Sequence, residues 1–173
     1  MRKYFSANEI SAIFNISKSY VYKMSKTDRV RKKKLDNLSY FNLSDSEKYL
    51  FRGNNKFNVR DKKFRLLFIN ISLRRDAKLK ILPVGLAAIM AYVDEAGYEF
   101  DVFDIDINSF DDDVIELFIK NNKYDLIAYG SIVTHYKWMK WLTNTIKKYH
   151  PETHTVVGNS VGGSCYEVFM KNC

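Results

Sequence analysis

The sequence predicts an α/β fold, a parallel sheet flanked by helices, behind a small basic helical segment. Two observations predict the sheet. Apolar runs of strand character alternate with helix-like runs from residue 65 onward, and glycines or small polar residues fall where the strands end. A third observation sets the first part of the chain aside. Residues 1–62 carry 15 Lys+Arg against 6 Asp+Glu, a net +9, whereas residues 63–173 carry 13 against 14, a net −1. All of the excess positive charge is therefore N-terminal, which suits a polyanion partner or a solubilising basic face.

In chain order, Ser6 and Glu9 form a capping-box pair ahead of Ile10, Ile13 and Phe14, so a short helix is expected there. After Asn15, Ile16 and Ser17 a second helix pattern holds Tyr20, Val21 and Met24. The basic run from Arg29 to Lys34, the turn pair Asp36–Asn37 and the apolar-aromatic run from Leu38 to Phe41 predict a hairpin, and Ser44 with Glu47 is expected to cap a third helix holding Tyr49, Leu50 and Phe51. Two short helices across a tight turn, followed by a hairpin, make a small α-helical segment similar to the winged helix-turn-helix domains of excisionase and MerR type. That resemblance implies that Lys18, Ser19, Tyr20, Tyr22 and Lys23 face a DNA major groove while Arg31, Lys32, Lys33 and Lys34 meet phosphates. The other reading of the same residues is a basic appendage that docks on protein. The expected organisation is a basic domain over residues 1–53, a linker rich in Asn and charge over 54–63, and the α/β domain over 64–173.

In the α/β part, the run Arg65-Leu66-Leu67-Phe68-Ile69-Asn70-Ile71 reads as a first strand covered on both faces. A helix is expected from Val84 to Ala96, with Leu86, Ile89, Met90 and Val93 on one face, Pro83 at its start and Gly97 just past its end. Glu99 to Asp104 predicts a second strand, Asp111 to Asn121 a helix with acidic residues in its first turn, and Tyr124 to Gly130 a third strand. A helix from Tyr136 to Tyr149 offers Trp138, Trp141, Leu142 and Ile146 for burial, a fourth strand spans Thr153 to Val157, and a last helix starts near Ser164. This is a Rossmann-like, flavodoxin-like order, in which ligands bind beyond the carboxyl ends of the strands.

Those ends carry the candidate binding residues. They are Asn70 and Ser72 after the first strand, Asp104 and Asp106 after the second, Gly130, Ser131, Thr134 and His135 after the third, and Gly158, Gly162 and Gly163 after the fourth. Glycine lets a backbone approach a bulky ligand and the hydroxyls of Ser131 and Thr134 can hydrogen-bond it, although tight turns need glycine with or without a ligand. No Gly-x-Gly-x-x-Gly follows the first strand, so NAD and FAD are disfavoured.

Four segments together resemble the cobalamin-binding domain that precedes many radical-SAM domains. They are Leu82-Pro83-Val84-Gly85-Leu86, the stretch from Glu95 to Asp104, Tyr129-Gly130-Ser131-Ile132-Val133-Thr134, and Val157-Gly158-Asn159-Ser160-Val161-Gly162-Gly163. The resemblance covers residues 64–173. It implies cobalamin held across the strand ends, its nucleotide tail near the serine–threonine loop and the paired glycines. The Asp-x-His-x-x-Gly element that supplies a cobalt-ligating histidine in one class of cobalamin proteins has no match here, so ligation by that element is not expected. His135 stands at a strand end, where it either approaches the corrin or is simply solvated.

The chain has two cysteines, Cys165 and Cys173, whereas the radical-SAM family holds its iron–sulfur cluster through three closely spaced ones. S-adenosylmethionine and that cluster are therefore expected only in a longer parent chain, of which this would be a fragment stopping before the last strand of its sheet. The chain alone is not expected to catalyse. The alternative is a DNA-binding transcriptional regulator whose α/β domain senses a ligand. No apolar run approaches the roughly 20 residues of a membrane span, and two cysteines without a framework suit a reducing compartment, so a cytoplasmic protein without membrane contact is expected.

Overall fold

The structure, a computed structural model, describes residues 2–52, 64–71 and 78–172. The expected linker 54–63, Ser72 and Cys173 lie outside the described residues. The chain forms two compact units, Met1–Lys63 with Asp111–Asn122, and Phe64–Phe110 with Lys123–Cys173.

In the first unit, β1 (Tyr4–Ser6) leads into α1 (Ala7–Ile13), and a turn through Asn15 leads to α2 (Lys18–Met24). The capping box forms as the sequence predicts. Ser6 Oγ accepts from the Glu9 N–H (3.3 Å) while the Glu9 carboxylate accepts from the Ser6 N–H (2.7 Å), an arrangement that contributes about 1 kcal/mol. Strands β2 (Lys32–Leu35) and β3 (Leu38–Asn42) form the expected hairpin, with Asp36 and Asn37 both at positive φ, as a two-residue turn of type I′ requires. The antiparallel order is β1-β3-β2.

The start of α3 (Leu43–Arg52) differs from expectation. Its capping residue is Asn42, whose Oδ1 accepts from the Asp45 N–H (3.1 Å), and Ser44 lies inside the first turn. The reason is that β3 runs directly into the helix with no intervening loop. Arg31 forks onto Asp45 (2.6 and 3.1 Å), and this contact holds the Asp45 carboxyl below its ordinary value. The pair therefore stabilises the fold above the ordinary carboxylate range, a contribution lost as pH falls through the lowered pKa.

Helix α6 (Asp112–Asn121) also belongs to this first unit, although its place in the chain is between strands of the other. It packs on α1. Asn122 Nδ2 donates to the Ile13 carbonyl (2.9 Å), and Arg2 pairs with Asp111 at 3.5 Å.

The second unit holds β4 (Leu66–Asn70), α4 (Val84–Glu95), β5 (Phe100–Asp104), α5 (Ile105–Asn108), β6 (Leu126–Gly130), α7 (Tyr136–Tyr149), β7 (His154–Gly158), α8 (Asn159–Ser164) and α9 (Tyr166–Met170). Its four strands are all parallel, in the order β5-β4-β6-β7, and helices flank the sheet. Pro83 and Gly97 punctuate α4 as expected, with Gly97 at φ +80°. The in-register residues Leu67, Ile69, Ile127, Tyr129 and Phe103 are buried on one face, and α7 covers it with Met139, Leu142 and Ile146. The Tyr129 hydroxyl meets Thr143 Oγ1 on that helix (2.5 Å). Trp138 and Trp141 are half-buried beside it. The connections after β4 and β6 run outward in opposite directions, so with the right-handed crossover that parallel strands take, α4 and α7 fall on opposite faces of the sheet. Leu86, Met90 and Val93 of α4 are half-buried there and Ile89 is exposed. The short elements β1, α5 and α8 are not expected from the sequence, and the last helix, expected near Ser164, starts at Tyr166 as α9 because the chain already turns helical at Asn159.

Candidate functional site

The strand order places the chain reversal between β4 and β6, and a doubly wound sheet opens a crevice at the carboxyl ends of such a pair. Register lines up four candidate residues along those ends. Asp104 is opposite Asn70 on one side, and Gly130 is opposite Gly158 on the other.

Asn70 is only 1% exposed. Its Nδ2 donates to Asp104 Oδ1 (3.1 Å) and to the Ile81 carbonyl (3.3 Å), and its Oδ1 is a buried acceptor with no hydrogen-bond donor among the described residues. A buried polar atom without a partner is rare enough to need a reason. The two aspartates have work within the chain. Asp104 caps α5 by accepting from the Ile107 N–H (2.8 Å), while Asp106 accepts from the Ile81 N–H (3.0 Å) and stands 3.8 Å from Lys80 Nζ. They tie down the segment that leads into α4. Lys80 and Ile81 were not legible as site neighbours, because only the fold brings them to the strand ends.

Across the crevice, buried Ser131 places its Oγ 3.1 Å from His135 Nδ1 and accepts at its carbonyl from the Val161 N–H (3.4 Å). The loop that carries the hydroxyls is thus braced against α8. Thr134 is exposed and His135 half-buried, in a single 3-10 turn, Val133–His135, before α7.

The glycines divide into two kinds. A Cβ on Gly130 would come within 2.9 Å of the Gly158 backbone, and one on Gly162 would collide with the Val157 carbonyl, so packing within the chain accounts for both. A Cβ on Gly158 would meet only the Tyr129 carbonyl at 3.9 Å, and one on Gly163 would meet nothing within 4 Å. Gly158 therefore stands open at the end of β7 beside Gly130, and Gly163 lies exposed on α8, the helix whose Val161 N–H meets the Ser131 carbonyl.

A family model for the B12 binding domain matches residues 72–172. The chain belongs to the B12-binding domain family. No curated protein and no solved structure matches it. The match begins just past β4 and takes in the ends of β5, β6 and β7. A B12-binding domain must grip a corrinoid, whose ring is edged with carboxamides that both donate and accept hydrogen bonds. The donor and acceptor set found here fits such a ligand: an orphaned buried acceptor on Asn70, hydroxyls on Ser131 and Thr134, and open space at Gly158 and Gly163.

Away from this edge, at the amino ends of the strands, Tyr124 donates to Asp101 Oδ2 (2.9 Å) and lies under the Arg65 guanidinium at 4.4 Å. Burial and the Asp101 charge push its phenol well above the ordinary value, so it stays protonated. A hollow lined by Asp94, Gly97, Tyr98, Glu99 and Phe100 is also at that end and takes no part in the site. The DNA-facing candidates lie in the first unit. Lys18, Ser19, Tyr22 and Lys23 are exposed along one side of α2, Tyr20 is half-buried, Lys32, Lys33 and Lys34 are exposed on β2, and Arg31 is taken up by Asp45. Among the described residues no helix is long and apolar enough to cross a membrane.

Proposed function

We propose that this cobalamin-binding module serves a cobalamin-dependent radical-SAM enzyme. The observation that carries the cobalamin part is the unsatisfied, buried Oδ1 of Asn70 at the reversal point of a sheet whose family binds B12. In this reading Ser131 and Thr134 hold the polar edge of the corrinoid, Gly158 and Gly163 admit its bulk, and Ser131 orients the His135 ring through Nδ1. When bound, the corrinoid supplies cobalt chemistry to a substrate brought by other segments. S-adenosylmethionine and the iron–sulfur cluster belong to those segments, because two cysteines are too few to hold the cluster. The radical-SAM assignment rests on the four resembling segments of residues 82–163. Its test is the encoding DNA, where a Cys-x-x-x-Cys-x-x-Cys run in the same or an adjoining reading frame is the expected finding. A gene neighbourhood with no such run removes the radical-SAM part and leaves the corrinoid part standing.

The basic face of α2 and β2 supports a second role for the first unit, as a winged helix-turn-helix-like segment that binds DNA in the cytoplasm. There α2 enters a major groove and Lys32, Lys33 and Lys34 meet phosphates. A DNA-binding regulator that senses a corrinoid is the form this role takes if no catalytic partner exists.

A further inference from the structure

We infer that Asn70 Oδ1 is the acceptor for one peripheral carboxamide N–H of the corrinoid, so that this residue distinguishes an amide from an acid at one corner of the ring. The inference rests on the corrinoid-binding reading above and adds to it a single atom and the ligand group it takes. The orientation of the Asn70 amide is settled by its partners. Both atoms facing Nδ2, Asp104 Oδ1 and the Ile81 carbonyl oxygen, are acceptors, so a flipped amide would set oxygen against oxygen. The remaining oxygen then has no donor among the described residues, while the residue is 1% exposed.

Leaving a buried acceptor unsatisfied is costly, and a ligand N–H that reaches the atom recovers that cost. The segment 78–82 lies against the other atom of the amide through the Ile81 carbonyl, and in this proposal it yields when the ligand reaches Oδ1. Its ties are the 3.3 Å bond from Asn70 Nδ2 to the Ile81 carbonyl, the 3.0 Å bond from the Ile81 N–H to Asp106 and the 3.8 Å approach of Lys80 to Asp106. Within that segment Leu79, Ile81 and Leu82 are exposed rather than packed into the core, so the shift breaks polar ties and no apolar contacts of the core. An acid in place of the amide would lose the donor and set a second carboxylate beside Asp104. A site built to hydrogen-bond one group rejects the analogue lacking it more strongly than a merely close-fitting site does.

The test measures affinity of the full chain for hydroxocobalamin and for its analogues in which one peripheral carboxamide at a time is hydrolysed to the acid. One analogue is expected to bind at least about tenfold more weakly than hydroxocobalamin, and in Asn70→Ala that deficit is expected to shrink to within about twofold. A deficit that persists undiminished in a folded Asn70→Ala chain overturns the assignment, as does equal binding of every analogue by the native chain. If the variant does not fold, the Asn70 side-chain carbonyl resonance of the native, isotope-labelled chain decides. It is expected to move on adding hydroxocobalamin and to move less with the weakened analogue, and no movement overturns the assignment. A native chain that binds none of these corrinoids removes the corrinoid reading itself, an outcome distinct from binding them all alike.

Discussion

Gly163→Phe is expected to abolish useful corrinoid retention while leaving the fold intact. Gly163 is exposed, and a Cβ there meets no atom within 4 Å, so an aromatic ring displaces nothing in the chain and occupies the volume that the proposed ligand pose takes on this side of α8. Surface substitutions of this kind change stability by about 0.5 kcal/mol or less, which leaves the melting temperature nearly unmoved. A ring in the ligand's volume forces either its own rearrangement or exclusion of the ligand, and the affinity for hydroxocobalamin is expected to fall about 100-fold. Gly162→Ala is the control with the opposite signature. Its methyl would strike the Val157 carbonyl, so it lowers stability first and affinity only as a consequence. Unchanged affinity in Gly163→Phe would place the ligand elsewhere on the sheet.

Replacing Lys32, Lys33 and Lys34 together with Gln is expected to have the second largest effect, on duplex DNA. Their side chains stand exposed on β2 with no core role, so the hairpin survives their loss of charge. Each phosphate contact removed lowers the slope of log affinity against log salt by about 0.9, so the triple replacement is expected to reduce it by about 2–3 and to weaken binding at low salt by about 30-fold or more. Arg31 is left in place deliberately, because its fork onto Asp45 joins the residue before β2 to α3 and its removal would confound charge with stability. An affinity and slope that do not change with the three lysines would exclude this face from DNA and favour a protein partner.

The strand ends were legible because alternation of apolar and amphipathic runs fixes sheet polarity, and polarity fixes where a ligand edge lies. Pro83, Gly97 and the Asp36–Asn37 turn were legible because each acts through its own backbone. Contacts between distant residues were not. In sequence, Asp104, Asp106, Gly130 and Gly162 are equivalent to Asn70 and Gly163 as polar or small strand-end residues, yet the first four are engaged by α5, by Ile81, by Gly158 and by Val157. Helix α6 was read in the correct place, but amphipathicity tells that a helix has a buried face and not which partner covers it. It packs on α1, more than 90 positions away in the chain. The three-residue β1 and the four-residue α5 are too short for a periodic pattern to reveal. Asn42 displaced Ser44 as the cap of α3 because the chain turns into the helix without a loop.

The central claim is that this chain holds a corrinoid at the carboxyl edge of its parallel sheet. Incubating purified protein with hydroxocobalamin, removing free ligand by desalting and recording the visible spectrum tests it most directly. The expected result is a protein fraction that keeps the corrinoid absorption close to one equivalent and loses it in Gly163→Phe. A native fraction that emerges folded and colourless would contradict the account.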